Sequence, residues 1–194
     1  MRIVLLFLLL ALITSCEEDV AVKPEAKLRL EYPVPQYKPM ELPCPYRFDK
    51  NEFAAISQKR NCGFNISYPR MSATLYLTYR PIEDDNLNSL LYDAQKLTYD
   101  HNSRADAIPE QVFVNPENDV YGMFYEINGN AATQAQFYVT DSVNHFLLGS
   151  LYFDAKPNFD SIYPAVVYLR NDMRKIMESL RWDVTYNTDL TTPN

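Results

Sequence analysis

The chain has 194 residues and a formal net charge of −7, with 25 acidic residues against 18 lysines and arginines. The basic residues are not clustered, so the composition argues against nucleic-acid binding and against electrostatic docking on anionic lipid. Nearly half of the residues are apolar, with 15 tyrosines and only 4 glycines. This is the composition of a folded domain with a filled core, not of a disordered chain.

Residues 1–15 have the pattern of a signal peptide. One positive charge, Arg2, precedes an apolar run over 3–13, which is too short for a membrane-spanning helix of about 20 residues. The run ends in Ile-Thr-Ser-Cys at 13–16, which resembles a bacterial lipobox. That resemblance implies cleavage before Cys16 and acylation of this cysteine, and two or more acyl chains anchor a protein stably in a membrane. An ordinary secretory signal with a chance cysteine is the alternative.

A proline-rich segment follows. Six of the thirteen prolines fall between Pro24 and Pro45, and their fixed φ and missing N–H exclude a helix or a central strand there. We therefore predict a lipidated N-terminus and tether over 16–45, part of which packs along the domain. Its tyrosines have no periodic neighbours to bury them and are interface candidates: Tyr32, Tyr37 and Tyr46.

Two cysteines remain once Cys16 carries lipid. Cys44 and Cys62 would lie in an oxidising compartment, where a disulfide between them is expected to stabilise the fold by about 3 kcal/mol. A metal site is the rival interpretation, but two thiols without a nearby histidine or third cysteine make a poor ligand set.

Beyond residue 46 the apolar pattern predicts six strands separated by segments of turn composition. They are 62–69, 73–80, 111–114, 119–127, 134–140 and 145–153. The links between the last four are short enough for hairpins, so neighbouring strands should be antiparallel. Strands 119–127 and 145–153 are apolar on both sides, which predicts that both faces of the sheet are covered.

Two amphipathic helices are predicted to cover these faces. The first follows capping candidates at 84–86 and should fade near 102–104. The second runs over 161–182, with Pro164 tolerated in its first turn.

The predicted architecture is a single α+β domain over 46–183, followed by a polar tail over 184–194. An antiparallel sheet of about six strands is covered by helices on both faces, in the order ββαββββα. This arrangement resembles the PsbP-like sandwich, a likeness that says little about function.

Long stretches of the chain resemble the GldD family of gliding-motility lipoproteins of Bacteroidetes, in particular CGFNISYPRMSATLYLTYR, GNAATQAQFYVTDSVNHFLLGSLYF and PNFDSIYPAVVYLRNDMRKIMESLRW. The resemblance extends from about Leu28 to Trp182, with Gly63 standing where the family favours an aromatic residue. It implies an outer-membrane lipoprotein required for gliding, in machinery tied to the type IX secretion system. Other gliding or secretion lipoproteins are the partners it implies, and it transfers no catalytic residue.

The three residues after the lipidated cysteine are acidic. Glu17, Glu18 and Asp19 resemble the patches that direct lipoproteins of Bacteroidetes to the cell surface. A solvated acidic start to a linker has the same pattern. We therefore expect a lipid anchor in the outer membrane and leave open whether the domain faces the periplasm or the cell exterior.

Few residues are candidates for chemistry. His101 should lie at a helix end, where histidine commonly interacts with the last carbonyls. His145 follows Asp141 and Ser142 closely, but that proximity is typical of a turn, and a nucleophile elbow needs G-x-S-x-G. Metalloprotease, P-loop and dinucleotide fingerprints are also missing from the sequence. We predict no catalytic residue, no metal and no cofactor.

Two functions stay open. The resemblance favours a non-enzymatic assembly or scaffold protein. The tyrosines and the scattered carboxylates suggest the alternative, a module that binds or hydrolyses envelope glycan, although these acids are expected to be helix caps and solvated surface: Asp141, Asp154, Asp160, Asp172 and Glu178.

Overall fold

The computed structural model describes residues 31–41, 43–84, 86–100, 104–154 and 158–183. The chain divides into two units, Met1–Glu31 and Tyr32–Asn194. All described residues except Glu31 belong to the second unit. The predictions for the signal peptide, for Cys16 with the three acidic residues after it, and for His101 lie outside the described residues.

Twelve strands and two helices form within the described residues. The strands are β1 (Tyr37–Met40), β2 (Tyr46–Asn51), β3 (Ala55–Gln58), β4 (Phe64–Tyr68), β5 (Ala73–Pro81), β6 (Ala105–Ala107), β7 (Glu110–Asn115), β8 (Val120–Glu126), β9 (Asn128–Gly129), β10 (Thr133–Thr140), β11 (His145–Phe153) and β12 (Arg181–Trp182). Helix α1 (Leu87–Tyr99) follows β5, and helix α2 (Phe159–Ser179) follows β11. Short 3-10 segments, Pro69–Met71 and Pro116–Asn118, join β4 to β5 and β7 to β8.

Seven antiparallel strands make the main sheet, in the order β3-β4-β5-β11-β10-β8-β7. A three-stranded sheet, β1-β2-β12, and the pair β6-β9 complete the structure. The mixed α+β class is confirmed, and each of the six predicted strands and both helices is present. The order ββαββββα is incomplete because six further strands, five of them four residues or shorter, were missed, and the PsbP-like likeness stays a prediction.

The small sheet begins before the predicted domain boundary at residue 46. β1 contains Pro39 and pairs with β2, and no other strand of the described residues pairs with it. This is the edge position that a proline tolerates. Residues from Tyr37 onward therefore already pair with the domain, as expected for a segment part of which packs along it, and the boundaries 16–45 and 46–183 stay a prediction.

The end of the second helix also differs from its prediction. α2 stops at Ser179, and Leu180 is extended with ψ 138°, so Trp182 belongs to β12 and pairs with Tyr46. Pro164 lies inside α2, past its first turn. The helix begins two residues earlier than the sequence pattern predicts.

The two faces of the main sheet are covered unequally. α2 and the small sheet bury the inner face, where the core includes large side chains fully removed from solvent. α1 crosses the centre of the outer face, and Gln136 Nε2 donates to the Ala94 carbonyl and to Thr98 Oγ1, at 2.8 and 2.6 Å. Val112 and Val114 near the edge are 73% and 60% exposed, so the predicted double cover holds at the centre only.

Candidate functional site

A cleft of about 870 Å³ opens at the end of the main sheet where β5 ends and β11 begins. The loop 141–144, the turn after β7 and strand β12 form its walls. Five carboxylates line it: Glu83, Glu117, Asp119, Asp141 and Asp183. Among the described residues that line the cleft, Arg181 is the one arginine or lysine, so acidic side chains dominate it.

A stack of aromatic rings forms one wall of the cleft. The His145 and Trp182 rings lie 5.1 Å apart and are nearly parallel, and the Tyr79 hydroxyl lies 2.9 Å from His145 Nδ1 in a hydrogen bond. Burial lowers the pKa of His145, and the charge of Asp141 opposes this only in part. The neutral imidazole is therefore favoured at neutral pH.

The loop before β11 is organised by Asp141. Its Oδ1 accepts backbone N–H groups from Val143, Asn144 and His145 at 3.0, 2.8 and 2.8 Å. Burial alone would raise the pKa of Asp141, but these three donors outweigh it and lower the pKa. Ser142 donates its backbone N–H to Thr140 Oγ1. Asp141 thus stabilises the turn. These three donors are backbone N–H groups, whereas the carboxylate of a catalytic triad accepts from a histidine ring.

Trp182 is the residue of this site that the sequence pattern missed. Its position at the end of an amphipathic run assigned it to the helix, whereas β12 holds it beside the cleft. Nε1 donates to the Asp119 carbonyl at 3.0 Å, which ties β12 to the turn after β7. A sequence signal for another role is that it is the single tryptophan of the chain and lies just before the predicted polar tail.

The cleft has the properties of a site for positively charged groups. A concave surface whose charged lining is five carboxylates against one arginine focuses a negative potential, and the indole face of Trp182 attracts cations through its quadrupole. The described residues bring no three His, Cys, Asp or Glu side chains together as a metal site would. Nor is any described helix long and apolar enough to cross a membrane.

The other predicted site residues do not line the cleft. Cys44 and Cys62 form a disulfide with Cα atoms 5.6 Å apart. Tyr46 is fully buried, and its hydroxyl donates to the Cys62 carbonyl at 2.7 Å. The interface role predicted for Tyr46 is wrong for the folded domain, because β2 places this ring in the core.

Tyr32 and Tyr37 contact α2. The Tyr32 ring lies 5.5 Å from that of Tyr168, and the Tyr37 hydroxyl donates to Asp172 Oδ1 at 2.6 Å. Both side chains remain half-exposed, so their interface role stays a prediction.

Two charged residues of α2 are buried, which the sequence analysis did not predict. Arg170 and Asp172 are 4% and 2% exposed, and Asp172 is therefore not the solvated acid that was expected. Asp154, Asp160 and Glu178 are exposed as predicted. For Arg170 the missed signal is its position four residues after Val166 and three before Met173, on the apolar side of the helix.

The fold and cleft define a disulfide-bonded α+β domain with an acidic, aromatic cleft suited to binding. The family model of the gliding motility lipoprotein GldD matches residues 17–182, so the chain belongs to the GldD family. No curated protein matches the chain. Membership implies a role in gliding motility and association with a membrane through a lipid anchor.

Proposed function

We propose that this GldD-family lipoprotein is a non-enzymatic assembly component of the gliding and type IX secretion machinery at the outer membrane. Its acidic cleft binds a basic segment of another component. The observation that carries this proposal is the lining of the cleft, where five carboxylates face one arginine around Trp182.

The charge of the cleft selects the class of partner. Mutual repulsion of the carboxylates is relieved when lysine or arginine side chains enter, and complementary charge also accelerates encounter. His145 contributes little positive charge because burial lowers its pKa. A basic segment is therefore favoured over an acidic or neutral one.

The geometry of the turn supports a role in binding over one in catalysis. The carboxylate of Asp141 is engaged by three backbone donors, and His145 is engaged by Tyr79 and Trp182. Because Asp141 and His145 are held by these contacts, they contribute to the shape of a binding surface and not to proton transfer. The lipid anchor implied by the family would hold that surface at the membrane, where the machinery assembles.

The test is site-specific photocrosslinking in gliding cells. A photoreactive residue at Val143, which is 66% exposed and lines the cleft, should crosslink to one basic envelope protein. Glu83→Lys with Glu117→Lys reverses two exposed charges of the cleft and should remove that crosslink and slow gliding. Asp93→Lys on the exposed side of α1 is the control for added positive charge and should leave both unchanged.

Two results would contradict the proposal. One is an unchanged crosslink and normal gliding after charge reversal in the cleft. The other is release of sugar from peptidoglycan or surface polysaccharide by the purified protein, which would show that the protein acts on envelope glycan.

A further inference from the structure

β7 is an outer strand of the main sheet and carries an exposed apolar stripe. It pairs with β8 on one side, and Val112 and Val114 are 73% and 60% exposed. Edge strands are usually protected by lysine, proline or a bulge. β7 has the sequence EQVFVN and a continuous ladder with β8, so none of these devices protects it.

One hydrogen bond shows which backbone N–H and C=O groups of β7 point away from β8. The Glu126 N–H donates to the Pro109 carbonyl at 2.9 Å, and the register places these two residues opposite each other. Hydrogen-bonded pairs alternate along an antiparallel ladder, so residues 111, 113 and 115 turn toward β8. The backbone N–H and C=O groups of residues 110, 112 and 114 point away from β8, and no strand of the described residues pairs with them there.

We propose that β7 pairs with β7 of a second copy of this chain about a two-fold axis, which joins the two main sheets into one. The outward groups determine the register. Val112 lies opposite Val114 of the partner subunit, and the axis passes beside Phe113. Each valine then exchanges both of its backbone hydrogen bonds with the opposite valine, and each face of one sheet continues into the same face of the other.

The side chains fit this register. Val112 and Val114 meet their counterparts on the outer face, and such β-branched cross-strand pairs are favourable. On the inner face Gln111 lies opposite Asn115 of the partner subunit. Glu110 does not face Glu110 of the partner subunit, so like charges do not meet across the ladder.

Charges on α2 are also complementary in this arrangement, which favours a second copy over an unrelated strand. Arg174, which also pairs with Glu126 of its own chain, donates from Nη2 to Gln111 Oε1 at 3.2 Å, and Asn115 Nδ2 donates to the backbone carbonyl of Glu178 at 3.4 Å. Because Gln111 faces the partner's Asn115, Arg174 comes beside the partner's Glu178, and the two-fold axis repeats this pair.

A small notch accepts the central side chain of the interface. About 70 Å³ of space lies between β7 and α2, lined by Phe113, Phe124 and Met177 among others. In the proposed register the partner's Phe113 is adjacent to this notch and closes it. The interface thus has an apolar centre with charged pairs at its rim, which is the usual anatomy of a protein interface.

The first test is the mass of the full-length lipoprotein in detergent, measured by sedimentation equilibrium with density-matched solvent. We expect a dimer that Val112→Lys with Val114→Lys converts to a monomer, because the pairing would place lysine opposite lysine. Val34→Lys with Val167→Lys adds the same charge at two other exposed valines and should leave the dimer intact. A monomeric mass for the unsubstituted protein at micromolar concentration overturns the proposal, as does a dimer that survives the β7 lysines.

The second test determines the register. Val112→Cys and Val114→Cys chains expressed together should form a covalent dimer on oxidation, ~tenfold more than either chain alone. The two Val112 positions would lie about 8–9 Å apart, beyond the reach of a disulfide. Equal yields from single and mixed expression would overturn this pairing. The cleft substitutions leave both valines in place, so this proposal and the cleft proposal stand or fail separately.

Discussion

α2 carries two buried charges of opposite sign whose surroundings differ. Arg170 faces the main sheet and forms an ion pair with Glu126, with Nη1 2.9 Å from Oε2. It also donates to the backbone carbonyls of Ile127 and Gln134 at 3.1 and 2.9 Å. Its charge is therefore neutralised by a carboxylate and solvated by the ends of β8 and β10.

Asp172 lies two residues further along and faces the small sheet and the neighbouring strand β4 of the main sheet. Tyr37 and Tyr68 each donate a hydroxyl to it at 2.6 Å, and Asn51 Nδ2 lies 3.1 Å away. These three hydrogen-bond donors to Asp172 are neutral side chains, and they come from β1, β2 and β4. The comparison shows that one helix attaches to the ends of β8 and β10 through a charge pair and to β1, β2 and β4 through a carboxylate with neutral donors.

Replacement of the arginine should have the largest effect. Arg170→Ala removes the ion pair with Glu126 and leaves buried backbone carbonyls without their donor, and loss of one partner from a buried pair costs about 3–5 kcal/mol. The free energy of unfolding from urea titration measures this. Arg174→Ala, which removes a half-exposed partner of the same Glu126, is the matched control and should cost about 1 kcal/mol or less. Equal losses would show that burial of Arg170 is not what matters.

Replacement of the aspartate should have a smaller effect. Asp172→Ala leaves the Tyr68 hydroxyl buried without its acceptor, while Tyr37 is half-exposed and turns to water. Asn51 Nδ2 loses the same acceptor but still donates to the Tyr168 hydroxyl. The unsatisfied Tyr68 donor and the lost packing cost about 2–3 kcal/mol. Urea titration again gives the value, with Asp160→Ala on the exposed side of the same helix as control. A loss as large as that of Arg170→Ala would contradict the distinction between the two sites.

The regular elements of this fold were predictable because they repeat a period. α1 and α2 show helical spacing, and the six predicted strands show alternation or continuous apolar runs. The short strands were not predictable in the same way. β1, β9 and β12 are four residues or shorter, so their positions depend on tertiary pairing and not on a local pattern.

The candidate site was only partly predictable for the same reason. His145 and Asp141 were identified as neighbours from their spacing in the chain. Trp182, Glu83 and Glu117 come to the cleft from three distant segments, and a single sequence contains no signal that brings them together. The burial of Asp172 depends on donors from β1 and β4, which no property of α2 alone reveals.

The smallest effect concerns the outermost donor to Asp172. Burial raises the pKa of Tyr37, and its hydrogen bond to Asp172 and the charge of that carboxylate raise it further. The folded chain therefore holds this proton more tightly than the unfolded chain. The contribution of Tyr37 to the free energy of unfolding is therefore fully present below pH 10 and is lost progressively as the pH rises beyond that value. Tyr37→Phe should cost about 1.5 kcal/mol at pH 7 through the lost hydrogen bond to a charged acceptor.

The pH dependence of that loss separates titration of Tyr37 from simple packing. Above pH 10 the unsubstituted protein loses the contribution of Tyr37 and the Phe variant has none to lose, so their unfolding free energies should converge. Tyr92→Phe, at a 65% exposed position on α1, should follow the unsubstituted protein throughout. A constant difference between pH 7 and pH 11 would mean that Tyr37 acts by packing alone, and that the Asp172 site does not depend on the protonated hydroxyl.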